Sequence, residues 1–453
     1  MKLPRAKVWL ALAGLLLVLL VLVGWSRESG PLERRLARYR AAGQPTTLAE
    51  LDAWYARVPD SENAATALLE AASAWRPTGS TNVPGSLEGP RCPKRGEAWP
   101  AALLEATRTE LASNALPLAQ MHAAVERPRG RYPLDLRAGA SVSFKHLLPT
   151  QGMIKKLGLE ARYAAETSDP ERAASALLAM LGVARTFEEE PLLISYMIRV
   201  SMIGVSVETT ESVLSRTALP EEQLRRLQTA FLEAEATNHL MRAIVGERCL
   251  ALDTLNWPAP KMADLFSGLP DGTPPLVATT LAYLYDGSGL ERQDLEFYVE
   301  GIDQLAEAAT RSRSEMPACL PVFQTHIDRL YSYFWSGWLR PLSRQQLPLY
   351  TRVFPRELRW VATLRCAQTA MAIERWRLAH GGALPAWLGD LVPQYLPAVP
   401  EDPLDGKPLK YHTHKTGYVV YSIGEDGLDQ GGAQHVDGSG KTHSNDYTFT
   451  VAR

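Results

Sequence analysis

The chain has 453 residues, 46% hydrophobic and 22% charged, which excludes a disordered protein and allows two or three domains at about 150 residues each. A formal net charge of -2 favours neither acidic lipid nor nucleic acid as a partner, and no nucleic-acid partner is expected. Cys92, Cys249, Cys319 and Cys366 lie far apart without a C-x-x-C pair. That excludes zinc-ribbon and thioredoxin-type spacing and leaves either buried thiols or long-range disulfides, with three full pairings open.

MKLPRAK carries Lys2, Arg5 and Lys7 ahead of the uncharged run Val8 to Trp25. Its eighteen residues at about 1.5 Å each give roughly 27 Å, enough for a bilayer core. Gly24-Trp25-Ser26 offers a signal-peptidase site, but the run exceeds the usual apolar length of a signal peptide, about 7 to 15 residues, so an uncleaved anchor is the better fit. The basic residues in front place the N-terminus in the cytoplasm. Residues 1–30 are therefore read as a cytoplasmic N-terminus and anchor in the inner membrane of a bacterium, with residues 8–25 spanning once. The bulk of the chain is extracytoplasmic.

From Pro31 the pattern is helical. PLERRLARYRAAG ends on a glycine, and Thr47 stands three residues before Glu50 as in a capping box. Ser61 follows a Pro-Asp break as the expected cap of the next helix. Residues 77–99, rich in Gly, Pro and Ser, read as a long surface loop. Residues 100–250 are the strongest helical territory. PLLISYMIRVSMIGVSVETTESVL is apolar almost all round, the mark of a helix buried in a bundle, and Arg199 within it is expected to pair with a carboxylate from a neighbouring helix. Residues 251–290, with five prolines, are expected to be irregular apart from one short helix, and residues 317–353 to be mixed. RELRWVATLRCAQTAMAIERWRLAH is a long amphipathic helix stopped by Gly381-Gly382. The fold class is thus mainly α. An irregular helical-bundle domain over 31–353 precedes a small α+β module over 354–453.

No nucleophile elbow, phosphate loop, zinc-protease motif or dinucleotide fingerprint is present. Glu235 and His239, four apart, would share a helix face as metal ligands do, although a solvated polar pair is the commoner outcome. His412 and His414 alternate on a predicted strand and share a face, with His435 and His443 downstream. Two exposed histidines are the simpler reading, since no third ligand is fixed by spacing. In YVVYSIGEDGLDQGG a strand enters an acidic, glycine-rich loop. Asp426, Asp429, Asp437 and Asp446 supply hard oxygen ligands of the kind calcium takes, but Asp-Gly pairs are what tight turns use, so the residues alone read first as a turn.

The run from Cys366 to Val451 resembles the C-terminal half of pseudopilins, the major (G-type) pseudopilin of type II secretion in particular. A helix passes through Gly381-Gly382 to Pro385. A proline-aspartate stretch follows with Pro400, Asp402, Pro403, Gly406, Pro408 and Tyr411. Then come the strand and the loop carrying Tyr421, Ser422, Gly424, Asp426 and Gly427. The resemblance implies a small sheet stabilised by calcium, with Asp426 the best matched ligand, Asp429 and Asp437 next and Asp446 weaker. It covers about the last fifth of the chain. The front departs from it, because no acid follows Gly14 at the fifth position of the apolar helix, and more than 300 residues separate the anchor from the stem.

These readings lead to a membrane-anchored extracytoplasmic scaffold or interaction protein of the cell envelope, with no catalytic residues and calcium as the sole cofactor expected. Its partners would be the membrane and envelope or pseudopilin-type proteins. A nonstandard accessory component of a type II secretion or type IV pilus-like machine is the second reading. An extracytoplasmic hydrolase is the third.

Overall fold

Local chemistry sets several helix ends. Thr47 accepts a hydrogen bond from Glu50 N at 3.2 Å, while Glu50 reaches back to Thr46 N at 2.7 Å, one residue beyond the capping-box position. Asn63, not Ser61, caps the following helix. Its side chain accepts from Ala65 N at 3.1 Å and also holds Arg131 N at 2.9 Å, so a tertiary tie selects the cap.

The computed structural model describes residues 30–79, 93, 96–236, 239–267, 275–332, 339–433, 435–436, 442–443 and 445–453. The expected anchor at 8–25, Cys92, Asp437 and most of the expected loop at 77–99 lie outside them. Among the described residues no helix is long and apolar enough to cross a membrane.

In chain order the helices are α1 (Gly30–Ala41), α2 (Leu48–Trp54), α3 (Ala64–Ala74), α4 (Ala101–Ser113), α5 (Ala115–Val125), α6 (Leu147–Glu166), α7 (Pro170–Arg185) and α8 (Leu193–Leu214). They continue as α9 (Glu221–Ala236), α10 (His239–Leu252), α11 (Ala259–Ser267), α12 (Pro275–Gly287), α13 (Leu290–Thr310), α14 (Leu320–Asp328), α15 (Pro341–Gln346) and α16 (Val353–Ala379). The protein is mainly helical with a small sheet, as its fold class was read. Two helices, α11 and α12, occupy the stretch where one was expected. Their prolines sit at or beside the helix starts, Pro258 and Pro260 around the first residue of α11 and Pro275 as the first of α12. A missing N–H costs nothing there.

Two apolar cores form. One gathers Leu32, Tyr196, Ile244, Leu295, Tyr298 and Phe354, and the other Leu68, Leu157, Leu177, Ile203, Phe231 and Ile373. Helix α16 runs through both, with Phe354 and Leu358 in the first and Val361 to Ile373 in the second. Helix α8 does likewise, with Tyr196 in the first and Met202, Ile203 and Val207 in the second, as its all-round apolarity requires.

The sheet is antiparallel in the order β1-β2-β5, with β1 Lys410–His414, β2 Gly417–Ser422 and β5 Tyr447–Ala452. A separate short pair joins β3 (His435–Val436) to β4 (Thr442–His443). Strand β2 is buried throughout and packs on α16, where Tyr418 OH donates to Ala370 O at 3.3 Å. The free edge of β5 is covered by α8. Thr450 N donates to Glu211 Oε1 at 2.5 Å and Ala452 N to Ser215 Oγ at 3.2 Å. Arg453 reaches Glu374 at 2.5 Å and the Leu214 and Thr217 carbonyls at 2.8 Å each. Edge backbone groups are thereby satisfied by side chains instead of another strand. Tyr418, Val420, Phe449 and Val451 belong to the same apolar core as α3 and α6 to α9. The C-terminal module and the helical part are packed as one body there.

Candidate functional site

Helix α7 begins with Asp169 accepting from Arg172 N at 3.1 Å and with Pro170 in its first turn. Its small residues let neighbours approach closely. A Cβ at Gly182 would lie 2.6 Å from Val125 Cβ of α5, so only glycine permits this crossing. Beside the crossing a groove of about 460 Å³ opens between α5, α7 and α9. Arg199 and Ile203 of α8, both 1% exposed, close its base.

At one end of the groove Ser175 Oγ stands 3.4 Å from His122 Nδ1. His122 Nε2 meets Glu160 Oε2 at 2.7 Å, and Glu160 Oε1 accepts from Arg172 Nε at 2.9 Å. The order is that of a nucleophile, base and orienting acid. Ser175, however, stands inside α7, where the surrounding backbone N–H groups are spent on helical hydrogen bonds and cannot form an oxyanion hole.

At the other end Arg199 Nη2 donates to Glu188 Oε1 at 3.0 Å and to Ala234 O at 3.4 Å. The partner of Arg199 is a carboxylate as expected, but Glu188 comes from the turn preceding its own helix and not from a neighbouring helix. Nε and Nη1 of Arg199 are buried without hydrogen-bond partners. Burial pushes the Glu188 carboxyl up, against the pull of Arg199. His239 Nδ1 lies 3.0 Å from Glu188 O, and burial together with Arg199 pushes this histidine down to about 3, so the ring is neutral and donates. Arg185 Nη2 donates to two carbonyls, Val125 O at 2.6 Å and Arg127 O at 3.0 Å.

Glu235 and His239 do not act as a ligand pair, for they turn to different partners, His239 Nδ1 to the Glu188 carbonyl. Glu235 turns to Arg365 at 2.8 Å and Gln368 at 3.0 Å. A second Ser–Glu–His grouping, Ser195, Glu190 and His146, has the carboxylate in the middle and is 0 to 4% exposed, stacked under Tyr132. It joins helices and offers a substrate no access.

In the acidic loop Asp426 accepts from Leu428 N at 3.0 Å and Gln430 Nε2 at 2.9 Å, and Asp429 from Gly431 N at 2.9 Å. These are turn-forming bonds. Asp446 accepts from Gly432 N at 2.7 Å, while its Oδ1 is buried without a partner. Asp429 and Asp446 both act on Tyr421, whose phenol is pushed up to about 12, chiefly by burial. Gly424 is required because a Cβ would lie 1.9 Å from Asn445 O. Among the described residues no three His, Cys, Asp or Glu side chains converge as metal ligands, and Asp437 lies outside them. The orphaned oxygen of Asp446 suits a hard cation. The remaining donors are engaged in turns.

His412 and His414 are exposed on β1, while His435 and His443 are paired in the backbone register of the separate β3–β4 ladder. Cys249, Cys319 and Cys366 are free thiols, the first and last buried. His122, Glu160, Ser175 and Arg185 carried no motif. The one sequence signal was a glycine inside an otherwise regular helical pattern, which marks close approach.

No protein-family model, curated protein or solved structure matches this chain.

Proposed function

We propose that this is a membrane-anchored extracytoplasmic protein of the bacterial envelope that works by binding, with the groove between α5, α7 and α9 as its recognition site. The groove carries this reading. It has the size and mixed lining of ligand pockets, mostly apolar on α7 and mixed on α9, where Arg226 and Glu233 stand beside Ala230 and Ala234. The apolar run 8–25 supports the anchor. The acidic tail serves as a structural element with a cation at Asp446. A docking role on a secretion or pilus-like machine rests on its pseudopilin-like order of helix, proline-aspartate stretch and sheet. A hydrolase built on Ser175, His122 and Glu160 ranks below binding for want of oxyanion donors.

The test is hydrogen exchange on the full-length protein, with and without a small-molecule extract of a bacterial envelope. Slower exchange confined to residues 175–185 and 226–234 is expected. Unchanged exchange over both segments would refute the binding role. Protection of the chain beyond residue 25 from external protease in spheroplasts would refute the topology.

A further inference from the structure

Helix α12 is apolar on two opposite faces. Ala278, Ala282 and Tyr285 are buried. Tyr285 meets Phe266 of α11 with ring centroids 5.5 Å apart and donates to Asp294 of α13 at 2.8 Å. The other face carries Leu276, Val277, Tyr283 and Leu284, between 37% and 79% exposed, with Thr280 exposed among them. At 3.6 residues per turn these five side chains fall within an arc of about 120°. No charged residue precedes Asp286 in the helix. A helix lying on a globular protein turns charged or polar groups to water. A continuous apolar face in their place marks an interaction surface.

The position of this face says what covers it, an inference that rests on the apolar run 8–25 being the membrane anchor. Only residues 26–29 separate Trp25, the last of that run, from Gly30, the first of α1, a reach of at most about 18 Å. The start of α1 is thus held close to the bilayer surface. It lies beside the start of α13, where Glu33 and Arg292 are 3.9 Å apart, and α1 stays on α13 through Arg35 and Tyr39, both bonded to Asp303. Helix α12 ends at Gly287, three residues before α13 begins, and Gly289, at φ 71°, makes the turn between them. The exit of the chain from the membrane and the C-terminal end of α12 therefore share one end of the molecule. We propose that α12 lies in the headgroup region of the bilayer on its Leu276–Leu284 face, as a second membrane contact beside the anchor. Tyr283 suits that depth, with an apolar ring and a polar tip. A single span leaves the body free to swivel, whereas two contacts fix which side of it faces the membrane.

Photolabelling tests this on the full-length protein in vesicles of phosphatidylethanolamine and phosphatidylglycerol, with a trace of phosphatidylcholine carrying a diazirine in its acyl chain. The carbene inserts into the side chains it meets, and mass spectrometry reads the labelled peptides. Label is expected on residues 276–284 as well as on 8–25. Leu276→Glu combined with Tyr283→Glu changes only exposed side chains, so its thermal melt should match the wild type. In that variant residues 276–284 should lose most of their label while 8–25 keep theirs. Label on 8–25 alone would keep the anchor, leave the α12 face to a second copy or another protein, and overturn the proposal. Label on neither segment would overturn the anchor itself and this inference with it. Label on 276–284 that survives both glutamates would mean chance collision, and the proposal would fall.

Discussion

Asp294 shows how a single buried charge organises this protein. It lies on α13 with no exposure and accepts four hydrogen bonds, from Tyr285 OH and Leu342 N at 2.8 Å each, Ser343 N at 3.0 Å and Ser343 Oγ at 2.5 Å. It therefore acts as the N-terminal cap of α15 from another part of the chain, which supplies no side-chain cap of its own. Burial pushes its carboxyl up to about 6 from an ordinary 3.8, against those hydrogen bonds. A folded-state value above the unfolded one means that the folded protein holds the proton more tightly. This contribution is full below about pH 4 and is lost as pH rises through 6, a change of roughly 3 kcal/mol at 1.36 kcal/mol per pH unit. Asp294→Asn cannot titrate. The stability difference between wild type and variant, from urea unfolding at pH 4 to 7, should move against the wild type by that order. Parallel profiles would show that Asp294 keeps an ordinary carboxyl.

At the scale of elements, the sequence announced helices by period and some of their ends by cap chemistry. Thr47 with Glu50 and the stop at Gly381-Gly382 were readable because the chemistry is local. Asn63 was not, since its choice over Ser61 depends on Arg131, 68 residues away. Prolines misled where they start helices, at Pro260 and Pro275. The acidic loop was legible as a turn, and its remaining question is the cation. Asp426 and Asp429 already serve the turn, so a bound ion must gain chiefly from Asp446 Oδ1 and from carbonyls of the loop. Calcium at millimolar concentration should raise the melting midpoint of the full-length protein over its value in chelator, and Asp446→Asn should remove the rise. An absent rise, or one unchanged in Asp446→Asn, would leave the loop as turn chemistry alone.

At the scale of the whole molecule, the groove was nearly invisible in the sequence. Its walls come from residues between 122 and 234 that no motif links, and only Arg199 stood out, as a charge in an apolar helix. The tail, by contrast, showed its order of helix, turn and strands, but not its attachment. Strand β5 lies with its edge on α8 through Thr450, Ala452 and Arg453, and Phe449 and Val451, both fully buried, share a core with α6 to α9. That continuity has a mechanical consequence. Phe449→Ala removes a buried ring and should cost about 3–5 kcal/mol. Because the lost contacts serve α8 and α16 as well as β2, the loss should not stay in the tail. Native-state hydrogen exchange of the variant should rise together over residues 193–214, 353–379 and 417–452, as one cooperative unit does. Faster exchange in the strands with α8 unchanged would instead make the tail an independent module resting on the helices, free to dock elsewhere.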